Sequence, residues 1–194
     1  MTIAASATWY VARSGGMLAY LLAYLLVSAS VVVGLLMSGR AKLKRWPRFA
    51  LEDVHRFLGI LAGAFIVVHG GALLLDGFLP FTLGQLLVPG TAPYRPLAVA
   101  LGVVAAELLA ALAVTNLFHK RLPHHLWRRV HMLNFAVWAL ALVHGLTAGT
   151  DALTTWALLL YAGSAWLVFA LLVHRVSLDW GTAATTLRKE KQWQ

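Results

Sequence analysis

Two stretches decide the fold: HRFLGILAGAFIVVH at residues 55–69 and HMLNFAVWALALVH at residues 131–144. Each is a nearly uncharged apolar segment with a histidine at both ends. At a rise of 1.5 Å per residue, a helix would separate the paired histidines by about 21 Å and about 19.5 Å. The hydrocarbon core of a bilayer is about 30 Å thick. Both stretches therefore predict membrane-spanning helices that carry a histidine at two depths.

The composition points to lipid as the solvent. Hydrophobic residues make up 60% of the 194 residues and charged residues only 12%, whereas a soluble domain carries about 25% charged residues. The chain contains no cysteine. This excludes disulfides, thiolate zinc sites, iron–sulfur clusters, a cysteine nucleophile and covalently attached c-type haem.

Five apolar stretches are long enough to cross a bilayer, which takes about 20 helical residues. Strands that span a membrane would be about ten residues long and would alternate polar and apolar positions, so helix is favoured. We expect an all-α, polytopic membrane helix bundle formed by residues 1–194 as a single domain. The spans are predicted at about 15–37, 54–76, 97–118, 129–149 and 153–174, followed by a short basic cytoplasmic tail at 175–194.

The basic residues lie almost entirely on one side of the predicted membrane. They are Arg40, Lys42, Lys44, Arg45, Arg48, Arg56, Lys120, Arg121, Arg128, Arg129, Arg175, Arg188, Lys189 and Lys191, and only Arg13 and Arg95 lie on the other side. The positive-inside rule places the N-terminus outside and the C-terminus in the cytoplasm. We expect a multi-pass protein of the cell inner (cytoplasmic) membrane. The net charge of +9 then indicates topology and contact with anionic lipid, not a nucleic-acid partner.

The four histidines form two pairs at matched depths. Spans two and four both run from inside to outside, so His55 and His131 share one depth, and His69 and His144 share another about 20 Å away. Each pair suits a haem b, whose iron takes one axial imidazole on each face and needs no cysteine. A zinc site would need three or four ligands in one place. Purely structural, hydrogen-bonded histidines are the alternative.

The rotation between the paired histidines puts them on one helix face in span two but not in span four. Fourteen residues fall about 40° short of four full turns, so His55 and His69 share a face. Thirteen residues fall about 140° short, so a straight helix would turn His131 and His144 apart. We therefore expect a tilt, bulge or kink in span four.

The sequence resembles the ferric reductase-like transmembrane domain. This membrane module is shared by ferric reductases, NADPH oxidases and the bacterial haem-binding subunit of periplasmic methionine sulfoxide reductase. The resemblance covers about residues 9–150. Besides HRFLGILAGAFIVVH it rests on WYVARSGG (9–16), LLVPGTAPYRP (86–96) and LWRRVHMLNFAVWALALVHGLTAGTD (126–151). The spacing of the two histidine pairs is its most specific part.

The resemblance implies two b haems stacked across the bilayer, which pass electrons from the cytoplasm to the exterior. It implies that His55 and His131 hold the iron of the inner haem and that His69 and His144 hold the iron of the outer one. Arg13 matches the family's arginine near the outer face, where it would approach the outer haem's propionates or the electron acceptor.

The sequence departs from the larger family members because no GxGxxG or other phosphate-binding loop occurs in it. We expect the electrons to come from a partner, either a flavoprotein or a quinol. The acceptor outside would be ferric iron or a periplasmic reductase. The chain would then be the electron-transfer subunit of an oxidoreductase.

Three arginines beside the inner ligands have two interpretations. Arg56, Arg128 and Arg129 either pair with haem propionates or only mark the cytoplasmic side.

A second class of function also stays open. The chain would then be a haem-free small transporter or a structural subunit with incidental histidines.

The charge distribution predicts the outcome of a topology experiment. A reporter fused after Gln194 should behave as cytoplasmic and one fused at Thr2 as periplasmic, because the basic loops stay inside. Paired alkaline phosphatase and fluorescent protein fusions measure this. The reverse pattern would exchange the inner and outer labels of the two histidine pairs.

Overall fold

The structure is a computed structural model of the chain. It describes the backbone of residues 3–38, 46–77, 79 and 81–192. Side chains are described for residues 16–38, 46–77, 79 and 81–177.

The described backbone is helical and contains no strands, so the all-α prediction is confirmed. The helices are α1 (Ile3–Ser38), α2 (Arg48–Leu75), α3 (Leu83–Leu87), α4 (Pro96–Leu117), α5 (His124–His131), α6 (Asn134–Ala148) and α7 (Thr155–Gln192), with a 3₁₀ turn at His119–Arg121. Helix is the expected form in lipid because it satisfies the backbone hydrogen bonds within one segment.

Five helical segments are long and apolar enough to cross a membrane, as predicted: Gly16–Ser38, Arg48–Leu75, Pro96–Leu117, His124–Ala148 and Thr155–Ser177. Their outward faces carry large apolar side chains, such as Val67, which is 74% exposed, and Leu97, which is 83% exposed. Such a surface suits lipid and would be costly in water. The second and fourth spans begin six and five residues earlier than predicted, at Arg48 and His124.

The connections divide the bundle into two ends. We call the end that carries Arg48, Arg56, Lys120, Arg121, Arg128, Arg129 and Arg175 the basic end, and the other the opposite end. Which end faces the cytoplasm stays a prediction.

Helix α1 is the centre of the bundle and packs along α2 and against α6 and α7. One core cluster joins Tyr24 of α1 to Ala157 and Tyr161 of α7, and a second joins Val31 and Leu35 to Val168. Helix α4 packs mainly on α6. The bundle therefore holds two close helix pairs, α1 with α2 and α4 with α6.

Hydrogen bonds between helices fix their rotation. The Tyr24 hydroxyl lies 2.6 Å from the Ser164 hydroxyl. Trp138 Nε1 donates to Ser28 Oγ at 3.1 Å. Polar groups in hydrocarbon gain little from lipid, so such bonds select one packing arrangement.

Close packing of α6 on α7 at Gly145 gives a testable prediction. A Cβ added to Gly145 would lie 2.5 Å from Tyr161 Oη and 2.9 Å from its Cζ. We expect Gly145→Ala to lower the free energy of unfolding by about 1–3 kcal/mol, since Tyr161 is buried and cannot swing away.

The matched control is Gly163→Ala on α7, because a Cβ there meets nothing within 4 Å. It should be neutral or stabilising by up to about 1 kcal/mol, as alanine is the better helix former. Unfolding in mild detergent measures both variants, and equal stabilities would contradict the packing shown here.

Candidate haem-binding histidine pairs

The structure brings His55 and His131 together at the basic end. His55 lies in the second turn of α2, and His131 is the last residue of α5. Their ring centroids are 5.9 Å apart, with the ring planes inclined at 69°. The two rings are therefore direct neighbours, arranged edge to face, although they come from different spans.

A break in the fourth span accounts for the position of His131. The helical pattern stops at Met132 and Leu133 and resumes at Asn134. Leu133 N bonds to Val130 O, and Phe135 N bonds to Met132 O, both three residues back. Such bonds tighten the helix from about 3.6 to about 3.0 residues per turn. Two tightened residues add about 40° of rotation, in the direction that reduces the angular mismatch between His131 and His144. The expected irregularity is present.

His55 is oriented by the backbone of α1. Its Nδ1 lies 2.9 Å from the Ser30 carbonyl oxygen and 3.1 Å from Ser30 Oγ. A proton on Nδ1 donates to the carbonyl, which leaves the Nε2 lone pair for a ligand. Metal-bound histidines commonly use their second nitrogen in this way.

His144 at the opposite end is oriented in the same manner by α4. Its Nδ1 lies 2.8 Å from the Ala98 carbonyl oxygen, so Nε2 is again left without the proton. In both cases a glycine follows the accepting residue by four positions, Gly34 after Ser30 and Gly102 after Ala98, and the imidazole packs over it. At Gly102 an added Cβ would collide with the imidazole, whereas at Gly34 it would meet the ring only at an ordinary contact distance.

His131 has a different environment. Trp127, one turn earlier, stacks on its ring with centroids 5.1 Å apart. Asn134 Nδ2 donates to the His131 carbonyl at 2.8 Å and lies 3.4 Å from Nδ1. The second contact is too long for a strong bond, so the Asn134 amide does not fix the ring tautomer as the carbonyls do at His55 and His144.

His69 is partly buried, and its Nδ1 atom is fully buried with no hydrogen-bond partner among the described residues. Tyr20 contacts the ring edge-on at 6.0 Å between centroids. The backbone of Gly16 approaches the ring without the geometry of a hydrogen bond. An unpartnered polar atom in hydrocarbon is costly.

The two pairs are therefore assembled to different degrees. The rings of His69 and His144 do not contact each other as those of His55 and His131 do. Gly59 and Gly63, on α2 between its two histidines, face open space, with no atom within 4 Å of an added Cβ. Helix α2 thus leaves room for a flat group beside its histidines.

The donor set fits a group held by two imidazoles at each of two depths. Across the described side chains, no three His, Asp or Glu residues gather in a way that could hold a metal ion. Imidazole ligands in a chain without cysteine suit haem b.

Of the four arginines predicted to contact haem, three lie at the surface of the basic end, and the side chain of the fourth is not among those described. Arg56, Arg128 and Arg129 are exposed at the basic end. For these three, no ion pair or hydrogen bond from the side chain is found within the described part of the chain. Arg13 falls within α1, but its side chain lies outside the described residues, so its proposed approach to the outer haem is untested.

Sequence reasoning missed the residues that orient the histidines. Ser30 and Ala98 act through backbone carbonyls, which leave no signal in side-chain chemistry. Asn134 could have been found, because a polar residue three positions after a membrane histidine lies on the same helix face.

Comparison with protein families, with curated proteins and with solved structures gives no match for this chain. The assignment of the histidine pairs rests on their spacing, on the quoted motifs and on the geometry described above.

The close packing of His144 on Gly102 predicts a selective defect. A Cβ on Gly102 would lie 2.6–2.9 Å from three atoms of the His144 ring. We expect Gly102→Ala to push the ring from the Ala98 carbonyl. On the expectation of two haems per chain that the sequence resemblance implies, the haem content of the purified protein should fall by about half.

Gly34→Ala is the matched control, because its Cβ would lie 3.4 Å from His55, an ordinary contact. It should leave haem content within experimental error of the parent. If both variants lost the same amount of haem, or if neither lost any, Gly102 would not define the position of His144.

Proposed function

We propose that this chain is a membrane cytochrome that binds two b-type haems and carries electrons across the membrane. The observation that carries this proposal is the facing imidazole pair of His55 and His131, which belong to two spans running in the same direction. A second pair of histidines lies 14 and 13 residues farther along the same spans. Haem, when bound, supplies reversible one-electron reduction at its iron.

The chain's own residues would hold and orient that group. His55 and His131 are the proposed iron ligands at the basic end, and His69 and His144 those at the opposite end. The Ser30 and Ala98 carbonyls hold the Nδ1 protons of His55 and His144, so each presents Nε2. Binding through His131 Nε2 requires the ring proton to lie on Nδ1, and the Asn134 amide, a donor 3.4 Å from that atom, opposes this arrangement only through a long contact.

The helices that carry the pairs are apolar and would keep bulk water from a bound haem. Val31 and Leu35 of α1, in the helix that orients His55, are closed off by Val168 of α7. If two histidines hold each haem iron, the group would supply one-electron transfer and would leave no position for oxygen to bind. The arrangement therefore favours relay of electrons over oxygen chemistry.

The direction of electron flow follows from the predicted orientation. With the basic end in the cytoplasm, electrons enter near His55 and His131 and leave near His69 and His144. A flavoprotein or a quinol is the proposed donor, and ferric iron or a periplasmic reductase the proposed acceptor. Arg56, Arg128 and Arg129 are placed to pair with propionates or with an anionic donor at the basic end.

Histidine replacements test the ligand assignment. We expect about two haems per chain in the parent and about one in His69→Ala or His144→Ala, with the basic-end haem retained because the pairs are about 20 Å apart. His55→Ala or His131→Ala should retain only the other haem. A pyridine haemochrome assay of purified protein measures the ratio.

The control is His174→Ala, an exposed histidine at the end of the fifth span, which should keep both haems. A colourless parent protein would refute the proposal and support the haem-free transporter or structural subunit. A coloured parent whose haem survives all four ligand replacements would refute the assignment of these histidines.

A further inference from the structure

Arg95 has an unusual backbone conformation at the start of α4. Its φ and ψ are 40° and 62°, in the left-handed region. Among the described residues it is the one non-glycine residue with positive φ. L-residues with a Cβ disfavour this region, and such conformations persist only where surrounding contacts hold them. The contacts of the Arg95 side chain are therefore informative.

The Arg95 side chain reaches from α4 to the end of α6. Its Nη1 donates to the Thr147 carbonyl oxygen at 2.6 Å, and its guanidinium lies 5.2 Å from the centroid of the Tyr94 ring. The Tyr94 hydroxyl lies 3.5 Å from the Ala148 carbonyl oxygen. Both carbonyls belong to the last turn of α6, where the helix offers them no partner. A cation there also complements the helix dipole.

This contact is in register with the one that orients His144. Ala98 lies three residues after Arg95 on α4, and His144 lies three residues before Thr147 on the antiparallel α6. The bonds from Arg95 to Thr147 and from His144 to Ala98 are therefore successive cross-links between the same two helices, about one turn apart. Shifting α6 along α4 would break both.

We propose that Arg95 is the positioning residue for His144. By anchoring the last turn of α6 to the first residues of α4, it fixes the depth and rotation at which the imidazole presents Nε2. This inference rests on the proposed function, in which His144 is an iron ligand. Arg95 does not touch the ligand atom and acts through the register of α4 and α6.

The test uses Arg95→Gly in the full-length protein. Glycine adopts positive φ freely, so the chain can keep its turn while it loses the guanidinium. Haem per chain is measured, together with the low-spin electron paramagnetic resonance spectrum. The signal of the opposite-end haem is identified as the one missing from His69→Ala.

We expect Arg95→Gly to lose the opposite-end signal, or to move it beyond the parent's line width, while the basic-end signal stays unchanged. Haem content should fall from two toward one. Arg95→Lys, which retains a donor and the charge, should restore part of the signal.

The control is Arg121→Ala, an exposed arginine whose guanidinium lies 5.4 Å from the Phe118 ring centroid at the basic end. It should leave both signals intact.

Two results would overturn the inference while the proposed function stands. One is an unchanged opposite-end signal in Arg95→Gly. The other is an equal loss of both signals, which would make Arg95 a general stabilising residue. A parent protein with fewer than two haems would instead refute the proposed function, before any Arg95 variant is compared.

Discussion

The structure depends on one constraint: inside hydrocarbon, a polar group must find its partner within the chain. An imidazole proton therefore needs a backbone carbonyl, and helix carbonyls are already bonded to the amide four residues on. A carbonyl oxygen has a second lone pair, but side chains normally cover it. At Gly102 the absence of a Cβ lets the His144 ring reach the Ala98 carbonyl, while the His55 ring reaches the Ser30 carbonyl beside Gly34 at an ordinary contact distance. Both cross-links then set how closely α1 approaches α2 and α4 approaches α6.

The same constraint explains the asymmetry between the two pairs. Around His55 and His131 the chain supplies a carbonyl, a stacked tryptophan and a helix break, and the rings meet. Around His69 it supplies Tyr20 and the nearby backbone of Gly16, and Nδ1 is left without a bond. If His69 binds iron through Nε2, its Nδ1 must carry a proton, and the Gly16 backbone is the group within reach to accept it.

The irregular fourth span reduces an angular mismatch without removing it. A step of 13 residues on a regular helix leaves His131 and His144 about 140° apart. The break at Met132 and Leu133 replaces regular backbone bonds with bonds to residues three back, which turns the start of the span by about 40° relative to its end. His131 then lies beside His55 of α2, while His144 is bonded to the backbone of α4.

The sequence by itself determined the helical class, the five helices apolar enough to span a membrane and the spacing of the histidines along two of them, because apolar length and a fixed rise per residue depend on local covalent geometry. It also predicted that the fourth span is irregular, from the angle between His131 and His144. Only the tertiary structure decided which atoms orient those histidines. The Ser30 and Ala98 carbonyls and the Arg95 cross-link lie 25, 46 and 52 residues from their partners. Backbone acceptors are chemically alike at every position, so helix packing selects among them and residue identity does not.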